Sequence, residues 1–479
     1  MVNFHGHRGA PLANAIRNIL NLAAGDLLAK TLYFLSFVYL ARILGVRQFG
    51  ILEFAASLLA YFLLLADAGL EKWSIREVAQ TGDVRDLSGR VVPLRFLLAT
   101  AIYSVLVLVL RLVPDVPPLR LVLLLFGLCL FAQALNLKWV FLGQQKMTRV
   151  AAGLVVAQVV FAVSVFALVR SPAQLLLVPL LRLASDVALA AYFAWAFAKE
   201  HGSLRLPLTL REARVILRPG LTMGVLETLQ VINYNFDAVL LGFLVGATTV
   251  GWYSAAYRPV TVALAMPMTY FIGLFPVLSS AFTENKDEFR TIVSRSLRLA
   301  TSLGIPLGVG GAMLAGPIIL LLFGQAYAPS VPVLRILVWS VVLVILRGTL
   351  DQALNAAKQT GVDVRCAMVS AGTNIVLNFA LIPIYGMIGA AIATLVSEIV
   401  WVTLVTNRTN HYVTRVNLFA YLWRPVLAGA AMAAFLWLAQ PIFWIVRAAL
   451  SVGVYFGALF LLGGANLREW KEFLQRPAT

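Results

Sequence analysis

Charged residues are scarce in this sequence. Only 12% of its 479 residues are Asp, Glu, Lys or Arg, whereas 61% are hydrophobic. Soluble domains carry about 25% charged and roughly 45–50% apolar residues. A soluble fold could not cover its surface with so few charges, which excludes soluble enzymes, nucleic-acid-binding proteins and disordered scaffolds. The excess of apolar residues predicts a surface that faces lipid, and therefore an all-α polytopic membrane protein.

Cysteine and histidine are also rare. The two cysteines, Cys129 and Cys366, lie inside apolar runs, which indicates packing residues rather than a disulfide or metal framework. The four histidines all lie in terminal or linking segments, so no buried metal site is predicted. We therefore expect no metal, no cofactor and no catalytic centre.

Apolar runs long enough to cross a bilayer, about 20 residues each, recur along the whole chain. Fourteen are predicted, and the links between them leave no room for a soluble domain. Numbered 1 to 14, the runs have the approximate limits 18–41, 48–69, 91–113, 119–142, 149–169, 173–198, 217–244, 250–281, 295–323, 331–354, 364–384, 386–407, 419–439 and 442–464.

Lysine and arginine are distributed unevenly over the links. They collect at the two termini and in the links after even-numbered runs, whereas the opposite links hold few cations. Because basic links stay in the cytoplasm, we predict cytoplasmic termini and a multi-pass protein of the inner (plasma) membrane. This topology also accounts for the net charge of +17, so no nucleic-acid partner is expected. One such basic link contains Lys199, Arg205, Arg211, Arg214 and Arg218.

The first six runs repeat once. The glycines of Leu44–Gly50, between runs 1 and 2, recur with the same spacing in Val245–Gly251, between runs 7 and 8. Asp186 in run 6 likewise corresponds to Glu398 in run 12. Transporters are often built from such repeats, with the substrate site between them. We predict three parts: an N-terminal lobe at 1–205, a C-terminal lobe at 206–415, and two additional helices at 416–479.

Ionisable side chains inside the apolar runs are the candidate functional residues, because a charge at membrane depth is costly. In run 1, Asp26 and Lys30 lie four residues apart and so on one helix face, either as a coupling or cavity site or as a mutually neutralising pair. Run 7 carries a polar stripe within an arc of roughly 120°, which faces either a wet cavity or another helix. Its members are Glu227, Gln230, Asn233, Tyr234 and Asp237.

Run 8 contains Arg258, about two helical turns beyond Gly251. Its five donors form a fork suited to phosphate, although an ion pair with Asp237 or an extension to the interface remain alternatives. The neighbouring Tyr257 is assigned to the same cavity. In run 10, Arg347 and Asp351 are candidates for gating or coupling, or else they lie at the membrane interface. The same alternatives apply to Arg182 with Asp186, and to Lys138.

Several stretches resemble the polysaccharide-transport (Wzx-type) flippases of the multidrug/oligosaccharidyl-lipid/polysaccharide exporter superfamily. They span runs 1 to 12, and are Leu40–Gly50, Ala66–Leu70, Val250–Arg258, Leu274–Ser279 and Ile382–Ala391. The resemblance implies alternating access between two lobes and export of a polyprenyl-pyrophosphate-linked oligosaccharide from the inner to the outer leaflet. It also implies contacts with the lipid bilayer and with other polysaccharide-assembly membrane proteins.

The resemblance further bears on the cargo. Arg258 occupies the place of a central arginine that contacts pyrophosphate in related lipid II flippases. Those relatives also use arginines near the starts of their first two helices, whereas this chain has Asp26 and Lys30 in run 1. That departure favours an oligosaccharide other than lipid II. A coupled H⁺ or Na⁺ is compatible with Asp26, Glu227 or Asp237.

Two other functions are considered. A cation-coupled multidrug or metabolite exporter of the same superfamily would need buried carboxylates, which Glu227 and Asp237 could supply, but the deep Arg258 argues against a cationic cargo. A membrane glycan polymerase or ligase would need a large outer loop with acid and base residues, and every predicted outer link is too short.

Overall fold

The computed structural model describes residues 10–112, 118–203, 210–440 and 442–464. Within these ranges, some side chains are not described: those of residues 10–24, 112, 210, 211, 222, 225–227, 229, 230, 233, 234, 266, 269 and 272. The described residues form α-helices almost throughout and contain no β-strand. This confirms the all-α prediction.

The chain divides into two compact units between Val239 and Leu240, a point inside α9. The first unit contains α1 (Ala10–Asp67), α2 (Leu70–Thr81), α3 (Val84–Leu112), α4 (Leu119–Gly127), α5 (Cys129–Ala134), α6 (Lys138–Gly143), α7 (Met147–Leu168), α8 (Leu177–His201) and most of α9 (Leu210–Leu244). The second contains α10 (Ala247–Glu284), α11 (Lys286–Met313), α12 (Ala315–Phe323), α13 (Ser330–Ala356), α14 (Thr360–Tyr412), α15 (Leu418–Leu438) and α16 (Trp444–Leu461). The predicted boundaries at 205/206 and 415/416 stay predictions.

Single glycines divide the two longest helices. Gly45 in α1 has φ 74° and Gly386 in α14 has φ 55°, and each separates two predicted runs. Side chains disfavour this left-handed region, so glycine suits a break that must form within one residue. By length and composition, eight described helices could cross a membrane, or nine if the bent pair α11–α12 is one span. Of these, α1 and α14 each contain two predicted runs, and the count of fourteen stays a prediction.

Contacts inside each unit show which links share one end of it. The Tyr39 hydroxyl donates to the carbonyl of Val169 at 2.8 Å, which joins the ends of runs 1 and 5. At the other end of α7, Lys146 and Arg149 both pair with Glu200, which lies near the end of α8. These pairings agree with the predicted alternation of links. The placement of either end in the cytoplasm stays a prediction based on the lysine and arginine bias.

The second unit is built around α13, which packs against α10, α11 and α14. Most of α13 is buried inside the unit, whereas α15 and α16 leave much of their apolar surface exposed. Gly429 lets α15 approach α11 closely, since a Cβ at that position would lie 2.8 Å from the Ile305 side chain. Exposed apolar helices of this kind are suited to contact with lipid.

One short helix, α2, lies in the link between runs 2 and 3. The turn before it uses left-handed backbone at Ala68 (φ 50°) and Gly69 (φ 74°). A Cβ on Gly69 would lie only 2.2 Å from the carbonyl oxygen of Gly220 in α9. The turn between α1 and α2 therefore packs backbone to backbone on α9, and only glycine fits there.

We predict that Gly69→Ala lowers the melting temperature of the detergent-purified protein well below that of Gly82→Ala. Gly82 has nearly the same φ, 68°, but its Cβ would meet nothing within 4 Å. The control therefore carries only the backbone strain, about 1–2 kcal/mol, whereas Gly69→Ala adds overpacking of about 1–3 kcal/mol. Equal melting temperatures for the two variants would contradict the close packing of this turn on α9.

Candidate functional site

The predicted polar stripe lies on α9, near the point where the two units divide. Helix α9 is continuous from Leu210 to Leu244 with Pro219 inside it. The side chains of Glu227, Gln230, Asn233 and Tyr234 lie outside the described ones. Asp237 is described: its side chain is buried, and within the first unit it interacts electrostatically with the hydroxyl of Tyr61. The role of the stripe in a cavity stays a prediction.

Arg258 lies on α10, about three turns after the helix begins at Ala247. It is half-buried, as is Tyr257, whose ring stacks on that of Tyr253 with 6.0 Å between the centroids. The Thr261 hydroxyl donates to the carbonyl of Arg258 at 2.8 Å. Aromatic rings and a guanidinium therefore share the first turns of α10, a combination that suits sugars and phosphates.

Three prolines interrupt the hydrogen-bond ladder of α10: Pro259, Pro267 and Pro276. Each lacks an N–H, so the carbonyl four residues earlier loses its helical donor. In a bilayer such carbonyls are tolerated only against protein or water. The helix that carries Arg258 is therefore the one with the most interrupted backbone in the second unit.

Asp26 and Lys30 are brought together as the sequence predicted. Their charged atoms lie 2.6 Å apart, one helical turn along α1, and both side chains are substantially exposed. A pair this close neutralises its own charge. Its contribution to stability is about 0–1 kcal/mol where water reaches it.

Arg347 and Asp351 form a buried network inside the second unit and do not lie at its surface. Arg347 donates to Asp351 at 2.6 Å on the same helix and to Glu398 of α14 at 3.2 Å. The guanidinium also lies 3.5 Å from the centroid of the Trp401 ring. One cation thus holds two carboxylates and joins α13 to the second half of α14. Because all of these contacts lie within one unit, they favour a structural role for Arg347 and Asp351 over a role in gating.

A corresponding pair exists in the first unit. Arg182 donates to Asp186 at 3.3 Å, and Asp186 is the repeat counterpart of Glu398. In both units, an acidic residue of the sixth run is thus neutralised by an arginine of its own unit. The arginine differs, since Arg182 belongs to the same helix whereas Arg347 belongs to a neighbouring one.

A second cluster in the first unit contains Lys138, which the sequence indicated as a candidate, and Arg95, which it did not. Arg95, only 5% exposed, lies 2.8 Å from Asp67 and donates to the carbonyl of Asn136 at 3.2 Å. Beside it, Lys138 lies 2.8 Å from Glu71. The sequence did contain an indication of this cluster. Arg95 lies near the start of run 3 and Asp67 near the end of run 2, and the predicted topology places these two ends on the same side of the membrane.

The carboxyl of Glu71 shows that this cluster favours the ionised form of its acidic residues. Burial opposes ionisation, but Lys138, together with Arg95, holds the pKa of the Glu71 carboxyl below its ordinary value. The carboxylate therefore stays charged at neutral pH, and its favourable interactions are lost only as the pH falls through that lowered pKa. The cluster connects the end of α1 to α3, and the start of α2 to the start of α6.

Comparison with known proteins fits this architecture. Residues 15–282 match the model of a family described as polysaccharide biosynthesis protein, and residues 183–460 match one described as lipid II flippase MurJ. The chain belongs to the polysaccharide biosynthesis protein family. Membership confirms the predicted relation to polysaccharide-transport flippases of the multidrug/oligosaccharidyl-lipid/polysaccharide exporter superfamily.

Several known proteins are similar to the chain over half of its length or more. A probable flippase, AglR, of Haloferax volcanii is 31% identical over 54% of this chain and 56% of its own length. A probable low-salt glycan biosynthesis flippase, Agl15, of the same organism is 24% identical over 92% of this chain and 94% of its own. A putative O-antigen transporter of Escherichia coli K12 is 22% identical over 80% and 93%. The chain is thus a multi-pass membrane flippase or transporter of polysaccharide biosynthesis, not an enzyme.

Solved structures show the same fold. The lipid II flippase MurJ in an inward closed conformation has a TM-score of 0.73, at 13% identity over 92% of this chain and 98% of that one. An inward-facing multidrug resistance transporter of the MATE family has a TM-score of 0.63, at 16% identity over 80% and 95%. Flippases and drug transporters share this fold, so the fold alone does not select the cargo.

We predict that Arg347→Ala lowers the melting temperature by about 10 °C, because it leaves Asp351 and Glu398 buried without their cation, at a cost of about 3–5 kcal/mol. Arg290→Ala is the matched control in the same unit. Arg290 forms an ion pair with Asp287, but the two side chains are 61% and 88% exposed. Its loss should change the melting temperature by no more than about 2–3 °C.

The double variant Arg347→Ala/Glu398→Gln should recover part of the lost stability, since it removes one uncompensated carboxylate. The measurement is thermal unfolding of the purified protein followed by size-exclusion chromatography. A normal melting temperature combined with lost transport in Arg347→Ala would instead assign the network to gating.

Proposed function

We propose that the chain translocates a polyprenyl-pyrophosphate-linked oligosaccharide from the inner to the outer leaflet for cell-surface polysaccharide assembly. The observation that carries this proposal is the similarity to a glycan biosynthesis flippase over 92% of this chain and 94% of that relative. Similarity to an O-antigen transporter supports the same class of cargo. The proposed site of action is the inner (plasma) membrane, together with other polysaccharide-assembly membrane proteins.

In this proposal Arg258 binds the pyrophosphate. A guanidinium can donate two parallel hydrogen bonds to phosphate oxygens, and Tyr257 presents an aromatic face beside it. The polyprenyl chain stays in lipid while the head group crosses, because an apolar chain of that length has no place in a polar cavity. The two repeated lobes alternate in access, which is how repeat-built transporters commonly work.

The membrane potential favours the proposed direction. With the inside negative, moving an uncompensated anionic charge outward releases about 2.3 kcal/mol per charge at 100 mV. A coupled H⁺ or Na⁺ would add to this, with Asp26, Glu227 or Asp237 as the groups that bind it.

We predict that Arg258→Ala reduces glycan export about 10- to 100-fold, as expected when one or two charge-assisted hydrogen bonds to the cargo are lost. Arg258→Lys should recover only part, because a single ammonium cannot form the paired contact. The measurement is the rescue of a strain that lacks its own flippase, quantified as surface polysaccharide per unit of protein in the membrane. Arg335→Ala, an exposed arginine on α13, is the control.

Two results would count against the proposal. Full export in Arg258→Ala would remove that residue from the cargo site. Unchanged surface polysaccharide in cells that lack the protein, with increased sensitivity to cationic drugs, would favour the multidrug or metabolite exporter. Native mass spectrometry of the purified protein, with detection of a co-purified polyprenyl-linked glycan, identifies the cargo directly.

A further inference from the structure

The two halves of α14, residues 360–385 and 387–412, pack against each other as antiparallel arms. The Ser370 hydroxyl donates to the carbonyl of Ser397 at 2.9 Å, and the Asn374 amide donates to the Ser397 hydroxyl at 3.4 Å. The reversal at Gly386 therefore places the start of the first arm beside the end of the second. The charges of these two ends meet at one end of the second unit.

A narrow cavity of about 110 Å³ lies between the two arm ends. Four of its lining residues are apolar and three are polar. The apolar ones are Val362, Cys366, Val369 and Leu404, and the polar ones, named the rim, are Arg365, Arg408 and Tyr412.

The two arginines of this rim are exposed. Neither forms an ion pair with any residue that the structure describes, and Arg365 donates one hydrogen bond, from Nε to the carbonyl of Gly361 at 3.0 Å. The nearest acid in sequence, Asp363, instead accepts from the amide of Asn355 at 3.0 Å. The cavity, named the slot, thus combines apolar side chains with two exposed cations.

A larger polar cavity of about 470 Å³ adjoins the slot, since Tyr412 lines both. Two further arginines, Arg290 and Arg415, belong to its lining, and Arg290 forms an ion pair with Asp287 at 3.2 Å. The lining consists of Arg290, Asn410, His411, Tyr412, Val413, Thr414 and Arg415. The space beside the two rim arginines is therefore large, polar and mainly basic.

An exposed apolar face leads away from the slot along the first arm. Met368 and Val369 are each 52% exposed, Val376 is 66% exposed and Phe379 is 56% exposed. Between them lies Gly372, where an added Cβ would meet nothing within 4 Å. From Arg365 to Phe379 this face runs about 20 Å, which covers the roughly 15 Å of hydrocarbon in one leaflet.

We propose that this end of the second unit binds an anionic phospholipid of the bilayer, with its phosphate between Arg365 and Arg408. The head group would occupy the larger cavity, and one acyl chain would follow the face of α14 past Gly372. Charge complementarity and a one-leaflet apolar face favour this occupant. Basic pockets between helices at the cytoplasmic side are typical binding places for such head groups, and this end is the predicted cytoplasmic one. The proposal is independent of the cargo.

The test is native mass spectrometry of delipidated protein titrated with phosphatidylglycerol, with phosphatidylcholine as the comparison lipid. Arg365→Ala/Arg408→Ala should weaken binding of the first phosphatidylglycerol about 30-fold, or roughly 5-fold for each cation removed, and leave phosphatidylcholine unchanged. The matched control is Arg76→Ala/Arg214→Ala, which removes the same charge from two exposed arginines of the first unit. Equal losses in both double variants would overturn the site.

A third variant, Gly372→Leu, tests the acyl face with every charge in place. Leucine is a better helix former than glycine, so folding should be kept, whereas its side chain would obstruct the chain of the lipid. We expect phosphatidylglycerol binding to fall at least 10-fold. Unchanged binding in this variant, with displacement of the lipid by millimolar glycerol phosphate, would overturn the lipid in favour of a soluble anion. Displacement by equimolar polyprenyl pyrophosphate would overturn it in favour of the cargo.

Discussion

The constraint on which this structure depends is that a bilayer offers no water to a buried charge. Charges at membrane depth must therefore find their partners inside the protein. Arg347 forms ion pairs with Asp351 and Glu398, and its guanidinium lies over the Trp401 ring. Arg95 forms an ion pair with Asp67. Removing one member of such a group is costly because the others remain buried, so these clusters fix which helices of a unit lie together.

The same constraint explains where the helices break. A helix satisfies its own backbone, so a long apolar stretch stays helical until a water-accessible end allows the chain to reverse. Gly45 and Gly386 make that reversal within a single residue, which is why two pairs of predicted runs appear as single long helices. Prolines act differently, since Pro259, Pro267 and Pro276 remove donors without ending α10.

Composition was sufficient to predict the all-α class, because lipid imposes length and hydrophobicity on the helices that cross it. Periodicity also predicted partners on one helix, such as Asp26 with Lys30, since residues four apart share a face. Partners on different helices followed no such rule. The contact between Arg347 and Glu398 depends on how α13 packs against α14, and Arg95 went unnoticed because its partner Asp67 lies on another helix.

A buried ion-pair network that lies within one unit is a poor candidate for the groups that drive transport. A ligand shifts a conformational equilibrium only through contacts that differ between the two states. Arg347, Asp351 and Glu398 belong to one unit, so a motion of that unit as a body leaves their contacts unchanged. Arg258 lies instead on α10, the helix whose ladder is interrupted three times. A helix that can change its bend can change what its arginine contacts, which makes α10 the better candidate to couple cargo to motion.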